Sequence, residues 1–128
     1  MAIRLFGFAL LFALSLAAVA RAHHTHAMYE PELRVTLKGT ATALHWSNPH
    51  VWLYMTMVDE NGQSANWVLE GGAPVELTRQ GWRGDKPAPG DAITVTIRPL
   101  KDGARGGLIR TIEFADGSQF GYVSPDTD

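Results

Sequence analysis

The five histidines of this chain fall in two clusters: His23, His24 and His26 near the N-terminus, and His45 and His50 on either side of Trp46-Ser47-Asn48-Pro49. None occurs in the last 78 residues. Imidazole is the commonest metal-binding side chain and titrates near neutrality, so histidines grouped this way point first to a transition metal. The chain has no cysteine. That removes thiolate nucleophiles, Cys-type zinc sites and blue-copper sites, each of which needs a sulfur ligand.

What the first cluster can do depends on where the mature chain starts. One early charge at Arg4, the apolar run from Leu5 to Val19, and small residues at Ala20 and Ala22 form the three parts of a secretory signal peptide. The uncharged run from Leu5 to Ala20 is 16 residues, short of the roughly 18 that a spanning helix requires. Cleavage is therefore expected over anchoring, and the mature protein is expected in the periplasm or outside the cell. A cut after Ala22 frees the amine of His23, which can join its own imidazole in a chelate of copper, the arrangement called a histidine brace. The second histidine would come from His45 or His50, or His24 or His26 would complete a local site. A cut after Arg21 would instead make His24 the third residue, which is the amino-terminal copper- and nickel-binding pattern. Both outcomes favour Cu(II), which leads the affinity order for nitrogen ligands.

Each cluster also has a plainer use. Three histidines after a cleavage site can be a polar lead-in. Asn48-Pro49 is a turn signal, Pro49 holds Asn48 extended, and His50 can cap the next strand through its ring while Trp46 and Trp52 pack at a core or rim. If the loop is a ligand site instead, it brings His45, Trp46, Asn48, His50 and Trp52 together. A straight strand from Leu33 to His45 spans about 40 Å, whereas the tail back to His23 reaches at most about 33–36 Å. One shared site, two separate sites and a site between two molecules all remain open on that estimate.

The elements that must position these residues are strands. Val35, Leu37, Ala41 and Ala43 alternate with polar residues from Arg34 to Ala43, with Gly39 as a candidate bulge or bend, and the alternation changes phase at Leu44-His45-Trp46. A second strand runs from Val51 to about Val58, with Val51, Leu53, Met55 and Met57 on one face and Trp52 and Tyr54 on the other. Asp59-Glu60-Asn61-Gly62 supplies a hairpin turn into a third strand over about Asn66 to Glu70. Pro74 opens a two-turn helix that Gly81 ends, and this helix is expected to plug one end of a barrel. Strands follow at Ala92–Arg98 and about Gly107–Phe114, and Asp116-Gly117 turns the chain into a short strand near Phe120–Val123.

Five main strands with one short helix between the third and fourth match an all-β fold, a small OB-fold-like five-stranded Greek-key barrel. The expected organisation is a signal peptide over 1–22, a His-containing N-terminal tail over 23–32, the barrel over 33–123 and a C-terminal tail over 124–128. Loss of Arg4 and Arg21 with the signal leaves nine basic against 13 acidic residues, a formal charge of −4. Nucleic acid is thereby disfavoured as a partner, because phosphate neutralisation needs a basic face. Asp59, Glu60, Glu70, Asp85 and Asp91 scatter among turns and strand ends and read as solvated, so no catalytic pair is visible. Gly71-Gly72 and Gly106-Gly107 lack a phosphate-loop pattern and read as turn residues. Trp52, Tyr54 and Trp67 are candidates for an exposed aromatic platform.

The combination of Ala22-His23-His24, Val35-Thr36-Leu37-Lys38-Gly39-Thr40, Trp46-Ser47-Asn48-Pro49-His50, Trp67-Val68-Leu69-Glu70, Leu77-x-x-x-Gly81-Trp82 and Pro89-Gly90-Asp91 resembles a family of small exported bacterial proteins classified only as a domain of unknown function. The resemblance implies a signal peptide, a small OB-like barrel, and a pattern that includes His23, His24 and the Asn48-Pro49-His50 turn. It implies no activity. The sequence thus points to a binder or carrier ahead of an enzyme; a copper oxidase or oxygenase is disfavoured because nothing else in the sequence identifies a substrate site. The expected ligand is copper or another transition metal, held by His23, His24 and His50 with His26 and His45 as lesser candidates. The alternative is a non-metal interaction module that binds a small molecule or protein through Trp46, Asn48, Trp52 and the aromatic face.

Overall fold

The structure is a computed structural model that describes residues 27–121. The signal peptide expected over 1–22, the histidines His23, His24 and His26, and the tail expected from Ser124 lie outside the described residues. Six strands and one helix follow in order: β1 (Val35–His45), β2 (Trp52–Val58), β3 (Ser64–Glu70), α1 (Pro74–Arg79), β4 (Ala92–Pro99), β5 (Gly106–Phe114) and β6 (Gln119–Gly121). No helix among the described residues is long and apolar enough to cross a membrane.

Hydrogen bonding runs β3-β2-β1-β4-β5-β6, and β5 also pairs in parallel with β3. The first five strands therefore close into a mixed barrel, with the ring order β1-β2-β3-β5-β4 and back to β1. This is the small OB-like barrel that the element order predicts, with β6 added as a hairpin on the far half of β5. Leu37, Leu53, Met55, Leu69, Val95, Ile97, Ile109 and Ile112 fill its interior from all five strands. Leu77, the buried residue of α1, joins the same cluster. Trp82, just beyond α1, stacks on Phe120 at 5.5 Å and donates its indole N–H to the Gly121 carbonyl at 3.2 Å.

The coil of β1 is built at two places. Strand pairing with β2 slips between Ala41 and Ala43, so Thr42 is the extra residue of a bulge, and the phase change expected at Leu44 begins there. Gly39, the expected bulge or bend, keeps register with Ile93 of β4. Its lack of a side chain serves a close crossing, because a Cβ there would lie 2.3 Å from the Thr56 carbonyl oxygen. Gly106 and Gly107, which also read as turn residues, are the first two residues of β5, one residue ahead of the start expected at about Gly107. At Gly107 a Cβ would sit 2.7 Å from the Arg98 carbonyl oxygen and 2.6 Å from Ile97. Strands β3, β4 and β5 meet there, which leaves no room for a side chain.

Barrel contacts also start earlier than expected. Tyr29 bridges Leu100, Glu30 N–H donates to the Pro99 carbonyl at 2.9 Å, and Lys101 N–H donates to the Met28 carbonyl at 2.9 Å. Residues placed in the tail by the sequence pattern thus extend the β4 ladder past Pro99. Gly39→Ala should lower unfolding free energy by about 2–3 kcal/mol, the range of a core overpacking that backbone cannot relax. Gly121→Ala, where a Cβ meets nothing within 4 Å, should change it by less than about 0.5 kcal/mol. Urea unfolding of both variants followed by circular dichroism measures the difference.

Candidate functional site

The hairpin β2–β3 sets which side chains share a face. Its loop is closed by Asp59 N–H to the Gln63 carbonyl at 2.9 Å, and the Asp59 carboxylate accepts the N–H groups of Asn61 and Gln63. The resulting register places Trp52 opposite Glu70, Tyr54 opposite Val68 and Met55 opposite Trp67. Leu53, Met55, Trp67 and Leu69 therefore face inward, and Trp67 packs against the core. That removes Trp67 from the expected platform. Trp52, Tyr54 and Glu70 take the outer face, and β1 adds His45 opposite Trp52.

Glu70 is nevertheless only 3 % exposed, which corrects its assignment as a solvated strand-end carboxylate. An ionised carboxylate is costly to bury unless it is hydrogen-bonded, and here two side chains meet it. The Tyr29 hydroxyl donates to Oε2, and His50 Nδ1 lies 2.5 Å from Oε1. Tyr29 itself is 4 % exposed, whereas the His50 side chain retains 34 %. The backbone around His50 is fixed by Val51 N–H to the Gly72 carbonyl at 3.0 Å and Gly71 N–H to the Val51 carbonyl at 2.7 Å. These bonds continue the β2–β3 ladder by one step and hold the His50 turn beside Glu70.

Barrel closure explains how residues so far apart in sequence meet. Glu70 pairs in parallel with Leu108 of β5, Pro99 pairs with Gly107, and Leu100 bridges Tyr29. The start of the described chain and the loop between β1 and β2 thus arrive at one seam. The expected 40 Å separation measured along a straight β1 does not apply, since the short route crosses β5. Tyr29 follows His26 by three residues, His24 by five and His23 by six. Fully extended, those intervals span at most about 11, 18 and 22 Å from the Cα of Tyr29, the residue whose hydroxyl meets the His50 partner.

The remaining expected residues divide. His45 is exposed and its ring lies 5.0 Å from that of Tyr54. Trp46 packs against the core, with the Gly84 backbone against its indole face. Asn48 is exposed and precedes Pro49 through a cis peptide bond. Among the described residues no group of three or more His, Asp or Glu is arranged to hold a metal, so His50 and Glu70 form at most part of one. An open cleft of about 310 Å³ between β1, β4 and β5, lined by Lys38, Ile93, Glu113 and Phe114, includes none of the expected residues.

A family model described as a family of unknown function, DUF6152, matches residues 11–110. The chain belongs to this family. The matched span takes in all five histidines together with Tyr29 and Glu70. No curated protein and no solved structure matches this DUF6152 chain.

Sequence reasoning did not single out Tyr29 and dismissed Glu70. The hairpin carried a usable signal for the second: the three-residue loop Glu60–Gly62 fixes the register and hence puts Glu70 beside Trp52 and at the end from which His50 leaves. Tyr29 carried no such signal, because its partner is set by barrel closure.

Burial, then the Glu70 hydrogen bond, then the Glu70 charge push the Tyr29 hydroxyl well above the ordinary phenol range. A folded-state value raised above that of the unfolded chain gives stability that is complete below about pH 10 and is lost as pH rises beyond it. Tyr29→Phe, which leaves Glu70 with one donor fewer, should cost about 1–3 kcal/mol at neutral pH. Its stability should also fall less steeply than wild type above about pH 10, as denaturant unfolding across an alkaline series will show.

Proposed function

We propose that this DUF6152 protein is an exported, periplasmic binding protein for copper or a related transition metal, with His50, His23 and His24 as its principal ligands. The observation that carries the reading is that Tyr29 and His50 hold the same buried carboxylate. The chain that leads back to the N-terminal histidines is thereby tied beside the loop histidine. The three imidazoles, with the amine that a cut after Ala22 would free on His23, supply nitrogen donors for which Cu(II) heads the divalent series. His26 and His45 stand outside the family-like pattern that includes His23, His24 and His50, and His45 lies two strands from Glu70, so both are proposed as secondary ligands.

A second reading, an interaction module that binds a small molecule or protein without metal, is supported by the outer-face row of His45, Trp52 and Tyr54. Intact mass of the exported protein identifies its first residue, and Cu(II) titration then separates the readings. The expected outcome is one copper bound with submicromolar affinity, weakened about tenfold or more, or at least ~1.4 kcal/mol, by His50→Ala. Affinity that survives His23→Ala removes the N-terminal brace, and a wild-type protein that binds no copper or other divalent transition metal overturns the proposal.

A further inference from the structure

We infer that Glu70 is the positioning residue of this site: it holds His50 with a proton on Nδ1, so that Nε2 is the nitrogen presented to the metal. The inference rests on the metal-binding reading above and concerns how that site is prepared. A neutral imidazole carries one hydrogen, and the nitrogen without it is the one that can ligate. With Nδ1 2.5 Å from a carboxylate oxygen, and a carboxylate having only lone pairs to offer, the hydrogen must lie on Nδ1. Nε2 is left with its lone pair, on a ring whose side chain is one-third exposed while that of Glu70 is 4 % exposed.

Three features separate positioning from direct ligation by Glu70. Both carboxylate oxygens already have a side-chain partner, Oε1 with His50 and Oε2 with Tyr29. Drawing Glu70 onto a metal would strand the Tyr29 hydroxyl, which is almost fully buried and would lose a bond it cannot replace with water. The bonds of Val51 to Gly71 and Gly72 fix the backbone next to the ring, so the carboxylate sets the imidazole orientation on an already rigid support. A carboxylate behind a histidine is the usual outer partner of a metal-bound imidazole; it raises ligand basicity and removes the need to order the ring on binding. Tyr29 extends the arrangement by one hydrogen bond, and it is also the residue that ties down the N-terminal chain.

Long-range nitrogen–proton NMR of the metal-free full-length processed protein, at a pH of about 8 where an ordinary histidine is neutral, reads the tautomer directly. Wild-type His50 should be protonated on Nδ1, and Glu70→Ala should lose that preference. In Cu(II) titration Glu70→Ala should bind about 10- to 100-fold more weakly. Glu70→Gln, whose amide oxygen still accepts from Nδ1, should recover most of the loss. Pulsed EPR of the copper complex should show a remote nitrogen whose quadrupole coupling changes between wild type and Glu70→Gln. Wild-type His50 protonated on Nε2 overturns the inference without need of any variant. So does a Glu70→Gln loss as large as that of Glu70→Ala, which would make the carboxylate a ligand. Copper affinity indifferent to Glu70 but lost in His50→Ala overturns this inference alone, while the absence of any metal binding in wild type overturns the function and the inference together.

Discussion

The parallel pairing of β3 with β5 is the constraint on which the rest of the molecule depends. It involves three residue pairs, Val68–Gly106, Leu69–Gly107 and Glu70–Leu108, yet it turns an open six-stranded sheet into a closed barrel. Closure removes the hydrogen-bonding edges that β3 and β5 would otherwise expose over this stretch. β5 also passes tightly against β4 and the residue after it, so it begins with two glycines at which a Cβ would collide with Leu100, Ile97 and the Arg98 carbonyl, while the Val68 carbonyl of β3 would lie 3.1 Å from a Cβ at Gly106. By itself the Gly106-Gly107 pair, at the expected start of the strand, has the look of a turn. The tertiary contact converts it into a strand.

The same closure assembles the candidate site. Glu70 is the last residue of β3, so the seam carries it against the start of β5 and within reach of the chain that follows β4. A carboxylate in that position would be expensive alone, and breaking such a group from one partner usually costs more than forming it contributes. Tyr29 and His50 offset the cost from opposite directions, one from the N-terminal segment and one from the loop between β1 and β2. The cluster therefore contributes specificity of arrangement more than raw stability. It requires that two segments at different ends of β1 occupy one place.

The outer face beside it has a different character. His45, Trp52 and Glu70 form one row across β1, β2 and β3, so the half-buried Trp52 lies between an exposed imidazole and a buried acid. Tyr54 and Val68 continue that face, with the His45 ring against Tyr54. Trp46, although in the same loop as His50, turns inward and packs on the core. Two tryptophans six residues apart thus take opposite surroundings; the Thr42 bulge sets the phase of the end of β1, where His45 pairs with Trp52 on the outer face.

Alternating hydrophobicity, the Asp59–Gly62 turn, Pro74 and Asp116-Gly117 determined the strands, the first hairpin, the helix and the final hairpin, because each depends on contacts within a few residues. The element order then determined the barrel class. The histidine clusters and the Asn48-Pro49-His50 turn were legible for the same reason, since they are residue types at short spacing. Only the tertiary structure decided that Tyr29 meets Glu70 beside His50, and that Gly106-Gly107 lie in a seam. Those facts follow from closure between strands some 40 residues apart, where neither period nor spacing carries information. A distance counted along β1 put the two histidine clusters at the limit of reach, whereas the route round the barrel ties the Tyr29 end of the chain and His50 to a single carboxylate.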